Sequence, residues 1–456
     1  MNKLTTDDPR KIALFILNTL DKRQKRLDSI LEEILNDKKV LPLKRDRALL
    51  YALVYGVLRW RGNLDSIISR FSKTPLNKIE PNILNILRLG LFQIIYLDKI
   101  PVSAAVNTSV EMAKSSDAPW IAKFVNGVLR NIARANETVG SSLRLEPTYS
   151  HLSLPGWLVK RWQKRFGKEE TSNLCDAINK IPPITIRTNT LKINREELII
   201  SIKNEAERVE SSIPYSPDAI SFFNPETSVP EMESFKKGWF QVQDEAAQLV
   251  TYMLNPKPGD MILDACAGLG GKTGHIAQMM NNSGMILSVD KEEEKLQRLM
   301  SEMNRLGVSI VKTLSHDLNE PLLTSHLFDR ILVDSPCSGL GVLRRNPDAK
   351  WSVFKEDLTY YKKREIKFLD NIAHLIKPSG IIVYAVCSTE PEENEEVVKA
   401  FLDKHSDFIL EKNIEGLPDK VHSLITHDGY LKTFPHLNNM DGFFAACFKR
   451  VSLSEL

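Results

Sequence analysis

From about residue 246 to the carboxyl end, short apolar runs alternate with stretches of helical periodicity, and no other feature restricts the fold of this chain as much. Residues 261–266, 285–289, 308–314, 330–333, 381–386 and 442–448 read as strands. Residues 272–280, 291–306, 364–376 and 392–404 read as helices with one apolar face. Parallel neighbours cannot be joined by a tight hairpin; they need a crossover of a dozen residues or more, usually a helix. The alternation therefore predicts an α/β domain, a largely parallel sheet with helices on both faces.

In such a sheet, ligands bind outside the carboxyl ends of the strands. Three successive strand ends carry an acid here: Asp290 ends the second strand, Asp317 follows the third and Asp334 follows the fourth. The first strand runs into a glycine-rich turn, Asp264-Ala265-Cys266-Ala267-Gly268-Leu269-Gly270-Gly271-Lys272-Thr273. The turn fails the dinucleotide fingerprint, whose third glycine would fall at Thr273. It also fails the phosphate-binding loop, whose first glycine would fall at Cys266. An acid at the end of the second strand can accept hydrogen bonds from ribose hydroxyls, and glycines let a ligand approach the backbone closely. The pattern fits S-adenosylmethionine, with ribose at Asp290, adenine near Asp317 and the methionine part over Gly268, Leu269, Gly270 and Gly271.

Two cysteines stand where an apolar strand runs out into a loop: Cys337 in Asp334-Ser-Pro-Cys337-Ser-Gly and Cys387 in Tyr384-Ala-Val-Cys387-Ser-Thr. A nitrogen or oxygen acceptor has lone pairs and needs only a methyl donor. Carbon 5 of a pyrimidine has none, and becomes nucleophilic when a thiolate adds to carbon 6. A free thiol of pKa about 8.5 is only a few per cent ionised at neutral pH, so the site must supply a cation or a proton acceptor. Lys272, Arg344 and Arg345 are candidates, and the helix-start sequence after Cys387 adds a favourable dipole. Cys175 and Cys447 read as ordinary buried cysteines.

Residues 1–138 read as all-helical, opening with the capping sequence Thr6-Asp7-Asp8-Pro9. The segment 83–96 is apolar almost all round and is the expected central helix of a bundle. Basic residues recur at Lys22, Arg23, Lys25, Arg26, Lys38, Lys39, Lys44, Arg45, Arg47, Arg59 and Arg61. They read equally as a solvated helix face or as a surface that follows RNA phosphates. Residues 139–160 loosen into a linker marked by Gly140, Pro147, Pro155 and Gly156. Up to residue 245 the helical stretches 158–166 and 169–178 mix with strand-like runs near 184–189 and 220–223, a small α+β module.

A chain of 456 residues is too long for one core. The formal charge of +3 does not mark the whole molecule as a nucleic-acid binder, so any basic surface is local. Five cysteines do not make a disulfide framework and suit a reducing cytosol. The amino end has no apolar signal core, and no apolar run is long enough to span a bilayer. These features predict a cytoplasmic protein with no membrane partner and no metal.

Residues 240–450 resemble the RNA 5-methylcytosine methyltransferases of the NOL1/NOP2/Sun family. The matching pieces are Gln243-Asp-Glu-Ala-Ala-Gln-Leu, the turn from Asp264 to Thr273, and Asp334-Ser-Pro-Cys-Ser-Gly-Leu-Gly-Val-Leu-Arg-Arg-Asn-Pro-Asp. Tyr384-Ala-Val-Cys-Ser, Glu392-Glu-Asn and Asp441-Gly-Phe-Phe complete them. Two positions depart from the family pattern, which has proline at Leu269 and threonine at Val386. The resemblance implies a Rossmann-like class I methyltransferase domain over 246–456, with Cys387 as nucleophile and Cys337 in product release. It implies that Asp334 holds the cytosine ring edge, that Lys272 buttresses Asp334, and that Cys266, Ala267, Gly268, Leu269, Gly270, Gly271, Lys272, Asp290, Asp317 and Asp334 line the S-adenosylmethionine site. Ile100-Pro-Val-Ser-Ala-Ala-Val-Asn and Phe124-Val-Asn-Gly-Val-Leu-Arg-Asn-Ile resemble the NusB-like RNA-binding helical domain, expected over 1–138. The module within 139–245 would then be RRM-like. This three-part architecture implies 16S ribosomal RNA, free or in an assembling small subunit, as the partner. A transfer-RNA cytosine-5 methyltransferase and a catalytically inert RNA-binding factor are the competing readings.

Overall fold

The structure, a computed structural model, describes residues 6–23, 25–35, 40–41, 43–114, 118–139, 153–211 and 214–451. The chain divides into two compact units, Met1–Lys180 with Leu343–Phe354, and Ile181–Val342 with Lys355–Leu456.

The first unit is helical. Its helices are Pro9–Asp21, Leu27–Leu35, Lys44–Phe71, Pro81–Tyr96, Val102–Lys114, Pro119–Val139, Gly156–Phe166 and Lys168–Asn179, with Ala349–Ser352 contributed from far along the chain. The Asp8 side chain caps the first helix by accepting from the Arg10 amide at 2.9 Å, with Pro9 in the first turn. Every residue from Ile83 to Ile95 is buried, so Pro81–Tyr96 is the central helix that its apolar circumference predicts. Its three long polar side chains have partners. Arg88 grips Asp65 at 2.6 and 2.7 Å, Asn85 receives Arg88 at 2.8 Å, and Gln93 receives Arg10 at 2.7 Å.

The structure divides the basic residues of this unit. Arg59 is buried and donates to the carbonyls of Ile178, Lys180 and Arg344, so it cannot follow phosphates. Arg61 pairs with Asp21, Lys25 pairs with Glu33, and the Arg23 guanidinium lies 3.5 Å from the centroid of the Phe354 ring. Arg26, Lys44, Arg45 and Arg47 are exposed. Lys38, Lys39 and the linker positions Gly140 and Pro147 lie outside the described residues. The returning segment Leu343–Phe354 is tied in by Trp351, whose indole N–H donates to the Leu58 carbonyl at 2.7 Å, and by the buried Lys350, which donates to Asn179 at 2.7 Å.

The second unit holds two sheets. Strands β1 (Ile184–Thr188), β2 (Ala206–Glu210), β3 (Ala219–Pro225) and β4 (Phe240–Val242) form an antiparallel sheet in the order β2-β3-β1-β4, backed by the helix Arg195–Lys203. Strands β5 (Met261–Asp264), β6 (Met285–Asp290), β7 (Val311–Ser315), β8 (Phe328–Asp334), β9 (Ile376–Val386), β10 (Phe408–Leu410), β11 (Leu431–Thr433) and β12 (Phe443–Arg450) form the large sheet. Its order is β10-β12-β9-β8-β5-β6-β7, with β11 also on β12. The five strands from β9 to β7 run parallel, and the carboxyl-terminal strands join antiparallel. Chain order reverses between β5 and β8, which opens a crevice at their carboxyl ends. Among the described residues no helix is long and apolar enough to cross a membrane.

Gly341 and Gly442 show how tightly the chain is packed at that end of the sheet. The Gly341 amide donates to the Cys387 carbonyl, and the Gly442 amide to the Gly341 carbonyl, both at 2.9 Å. A Cβ at Gly341 would sit 1.9 Å from the Gly442 oxygen and 2.9 Å from the Cys387 oxygen, and backbone cannot move aside. Gly341→Ala is expected to lose about 3 kcal/mol in urea unfolding, the upper end for overpacking. Gly127→Ala has nothing within 4 Å of the added carbon and should gain up to about 1 kcal/mol from helix propensity. Equal effects would refute the packing argument.

Candidate active site

The glycine-rich turn is held from below and from behind. Asp264, buried at the end of β5, accepts from the Thr273 hydroxyl at 2.6 Å and so ties the two ends of the turn together. Burial pushes this carboxyl up to about 7, against the pull of the Thr273 bond. Gly268 and Gly270 have φ of +54° and +84°, which L side chains rarely adopt. A Cβ at Gly268 or Gly271 would meet nothing within 4 Å, so the backbone there borders open space. Asp290 accepts from the Gly268 amide at 3.1 Å and the Glu292 amide at 2.9 Å, which fixes its carboxylate beside that space. An open glycine backbone with an anchored carboxylate beside it is what a nucleoside with a flexible amino-acid tail requires. Asp317 is exposed, and the Asn319 amide and side chain hold its carboxyl below the ordinary range. Leu269 is 47% exposed at the tip of the turn.

The brace behind the turn comes from the small sheet. Fully buried Arg187 on β1 donates to the Gly271 carbonyl at 3.0 Å, to Gln241 at 2.8 Å, to Gln278 at 3.3 Å and to Gln243. Gln241 on β4 in turn donates to the Gly270 carbonyl at 3.3 Å. Two carbonyls of the turn are therefore held by side chains of the small sheet. Nothing in the sequence distinguishes Arg187 from the other 60 Lys and Arg residues.

The two cysteines meet. Parallel pairing of β8 with β9 sets Asp334 opposite Ala385, so the loops carrying Cys337 and Cys387 leave the sheet side by side. Their sulfurs are 3.2 Å apart and both thiols are free. The bond to Cys387, then burial, holds the Cys337 thiol well above its ordinary range. Beside them Lys272 donates to Asp334 at 2.6 Å, with the ammonium 5.3 Å from the centroid of the Phe443 ring. Desolvation and the carboxylates of Asp334, Asp264 and Asp290 hold the Cys266 thiol well above its ordinary range, which keeps it protonated.

The buried Glu393 carboxylate fastens the two loops to each other. It accepts from the Ser338 amide and hydroxyl, both at 2.6 Å, and from the Ser388 hydroxyl at 2.5 Å. Ser338 follows Cys337 and Ser388 follows Cys387, so one side chain sets the spacing of both. In the sequence this residue stands inside the family piece Glu392-Glu-Asn and within the acidic run from Glu390 to Glu396, and neither gives it a role. The helix begins at Glu395, eight residues past Cys387, and its capping residue Asn394 donates to the Ser388 carbonyl at 3.3 Å. Of the other expected sources of positive charge, Lys272 is on Asp334, and Arg344 and Arg345 belong to the segment Leu343–Phe354 of the helical unit. Arg364 is the cation tied to the cysteine loop, through a bond to the Pro336 carbonyl. Cys175 and Cys447 are buried, and burial pushes each thiol up to about 12.

The comparisons with known proteins agree along the whole chain. Residues 251–449 match the family model for 16S rRNA methyltransferase RsmB/F, residues 7–134 the NusB family, and residues 154–229 the ferredoxin-like domain of RsmF/B-like methyltransferases. The chain is 36% identical over 449 residues to the "Probable ribosomal RNA small subunit methyltransferase B" of Bacillus subtilis, covering 97% of this chain and 98% of that one. It is 34% identical over 404 residues to the ribosomal RNA small subunit methyltransferase B of Klebsiella pneumoniae, covering 88% and 90%. Among solved structures, a methyltransferase homologue from Pyrococcus horikoshii superposes with a TM-score of 0.55 at 26% identity, over 67% of this chain and all of that one. The fold is also that of NSun6 from the same organism, solved with SFG, at a TM-score of 0.57 and 24% identity over 65% of this chain and 98% of that one.

Arg187→Met should remove the brace while keeping most of the side-chain volume. The stranded carbonyls and glutamines predict a loss of about 3 kcal/mol. Amide exchange at Gly268, Gly270 and Gly271 should accelerate at least about tenfold beyond what that global loss explains. Exchange at those amides that merely follows global unfolding would show that the brace does not hold the turn.

Proposed function

This chain belongs to the RsmB/F family of 16S rRNA methyltransferases, and from that premise we propose that it methylates carbon 5 of one cytosine through a covalent bond from Cys387 to carbon 6. The observation that carries this reading is the pair of free thiols 3.2 Å apart beside the Lys272–Asp334 ion pair. A nitrogen or oxygen methyltransferase has no use for a thiol at that place.

S-adenosylmethionine supplies an electrophilic methyl group. The residues that would hold it are Cys266, Ala267, Gly268, Leu269, Gly270, Gly271 and Lys272 of the turn, with Asp290, Asp317 and Asp334 at the next strand ends. Asp290 keeps lone pairs free for ribose hydroxyls beyond its two backbone bonds.

The chemistry of the thiols follows from their asymmetry. Cys337 is the one held protonated, which leaves Cys387, 3.2 Å away, as the thiol to act as nucleophile. The Cys387 thiolate adds to carbon 6, the sulfur–carbon bond forms and carbon 5 becomes nucleophilic. Lys272 occupies one Asp334 oxygen and holds that side chain in place, which leaves the other oxygen for the cytosine ring edge. After methylation, carbon 5 gives up its proton to a base at or beside Cys337, the ring double bond returns, and the sulfur–carbon bond breaks to regenerate the Cys387 thiolate. The NusB-like domain binds the RNA, and the target base enters from a loop or is unstacked.

Cys387→Ala should reduce methyl transfer to background, while Cys337→Ala should accumulate an RNA–protein adduct that survives a denaturing gel. RNA bisulfite sequencing of 16S rRNA from a deletion strain should lose one methylated cytosine. An active Cys387→Ala enzyme, or a loss confined to transfer RNA, would overturn the reading.

A further inference from the structure

The helix Asp357–Ile372 buries one side, where Phe368, Leu369 and Ile372 join the core that includes Ile331 of β8 and Ile382 of β9. Another side is open. Residues three and four apart share a face of a helix, and Tyr360, Lys363, Arg364 and Lys367 have that spacing. Tyr360 is 62% exposed, the only exposed tyrosine, phenylalanine or tryptophan among the described residues of the second unit. Lys363 and Lys367 are exposed as well.

A single exposed tyrosine is ordinary on a protein surface. The place of this one is not. β8 and β9 run parallel, so the chain leaves β8 at the crevice and re-enters the sheet at the far end of β9. The helix leads through one short turn, Ala373–Leu375, into β9. Its last turn is therefore at the far end, and its first turns lie toward the crevice, about 24 Å back along 16 residues. Side-chain contacts place them there too. The Arg364 guanidinium donates to the carbonyl of Pro336, the residue before Cys337. It lies 5.5 Å from the centroid of the Tyr360 ring and 5.1 Å from that of Tyr361, and the two rings meet edge to face at 5.8 Å. Arg364 thus fixes the aromatic pair to the loop that carries one of the two thiols.

An exposed ring among cations matches what single-stranded RNA offers, flat bases on a phosphate backbone. Chemistry on a base inside folded RNA also calls for such a contact. A cytosine that leaves its stack uncovers one face of the base next to it, and an aromatic ring at the rim of the crevice can cover that face.

We propose that the first turns of this helix are a second RNA subsite, in which Tyr360 stacks on the base next to the target cytosine and Lys363 and Lys367 meet the phosphates beside it. Arg364 is the positioning residue of the ring. The ring face binds, so the hydroxyl has no part in it. The subsite deepens the reading of the chain as an RNA cytosine methyltransferase and rests on it for the substrate, but it requires no particular atom of the base to be methylated.

The test is methyl transfer by the full chain to unmodified 16S rRNA and, as a second probe, unmodified transfer RNA, with filter binding of each RNA in the absence of cofactor. On the RNA that the wild type prefers, Tyr360→Ala should weaken binding and raise KM about tenfold, the effect of one lost stacked base, with kcat changed less than about twofold. Tyr360→Phe and Tyr360→Trp should keep the wild-type affinity. Lys363→Gln should lower the slope of log affinity against log salt by about 0.7, one phosphate contact on a single strand. Ile409→Ala, at an exposed position on β10, should change none of these. Wild-type KM and affinity in Tyr360→Ala overturn the proposal, and so does a phenylalanine variant as weak as the alanine one, which would make the contact a hydrogen bond of the hydroxyl. The binding comparison involves no chemistry. It decides for Tyr360 even where an active Cys387→Ala enzyme removes the covalent reading, or where a preference for transfer RNA removes 16S rRNA as substrate.

Discussion

The parallel pairing of β8 with β9 is the constraint on which the site depends. It sets Asp334 opposite Ala385 and brings two loops, 50 residues apart in sequence, to one level above the sheet. A slip of one residue would turn every side chain of β9 to the other face and carry Cys387 away from Cys337. Backbone pairing alone leaves the loops free beyond the last ladder bond. Glu393 closes that freedom by bonding the residue after each cysteine. The 3.2 Å between the sulfurs is thus set twice, once by the sheet and once by a buried carboxylate.

The same logic operates on the other side of the crevice. The glycine turn after β5 has little side chain with which to hold itself, because its purpose is to leave backbone open. Its rigidity is supplied from elsewhere: from within by the Thr273–Asp264 bond, and from the small sheet by Arg187 and Gln241 on the carbonyls of Gly271 and Gly270. An arginine suits that task, because its planar fork can bond several acceptors at fixed angles and its charge survives burial. The ferredoxin-like module is therefore part of the scaffold of the glycine-rich turn, whatever else it does.

Much of this was legible in the sequence, and for a physical reason. Alternation of strand and helix determines which strand ends are carboxyl ends, so residues at those ends can be assigned to a common edge before any coordinates exist. Asp290, Asp334, Cys337 and Cys387 were found in that way, and the pairing of Lys272 with Asp334 followed from the family resemblance. What escaped are residues whose role is a contact and not a place. Glu393 sits in the family piece Glu392-Glu-Asn with nothing to mark its contact with both cysteine loops, and Arg187 sits in a strand with no local signal at all. The helix expected from residue 364 begins at Asp357; before Glu365 it buries only Leu358, too little to show an apolar period. The segment Leu343–Phe354 reads as a loop of the catalytic domain, yet Trp351 and Lys350 give it partners in the helical unit. Long-range partners of that kind leave no periodic trace.

The acids at this edge of the sheet differ in how they are handled, and the difference follows from their bonding. Asp334 carries a lysine at 2.6 Å and Asp290 carries two backbone amides. Asp264 has one hydroxyl donor, Glu365 lies beside the Tyr384 hydroxyl, and burial raises both. The two acids without a lysine or amide partner are the ones that burial shifts toward neutrality. Pushing acids apart in this way is how a crowded site sustains both an anion and proton donors at one pH. The Cys387 nucleophile of the covalent reading is one more group to be placed in a site already crowded with carboxyls, two of which burial moves toward neutrality.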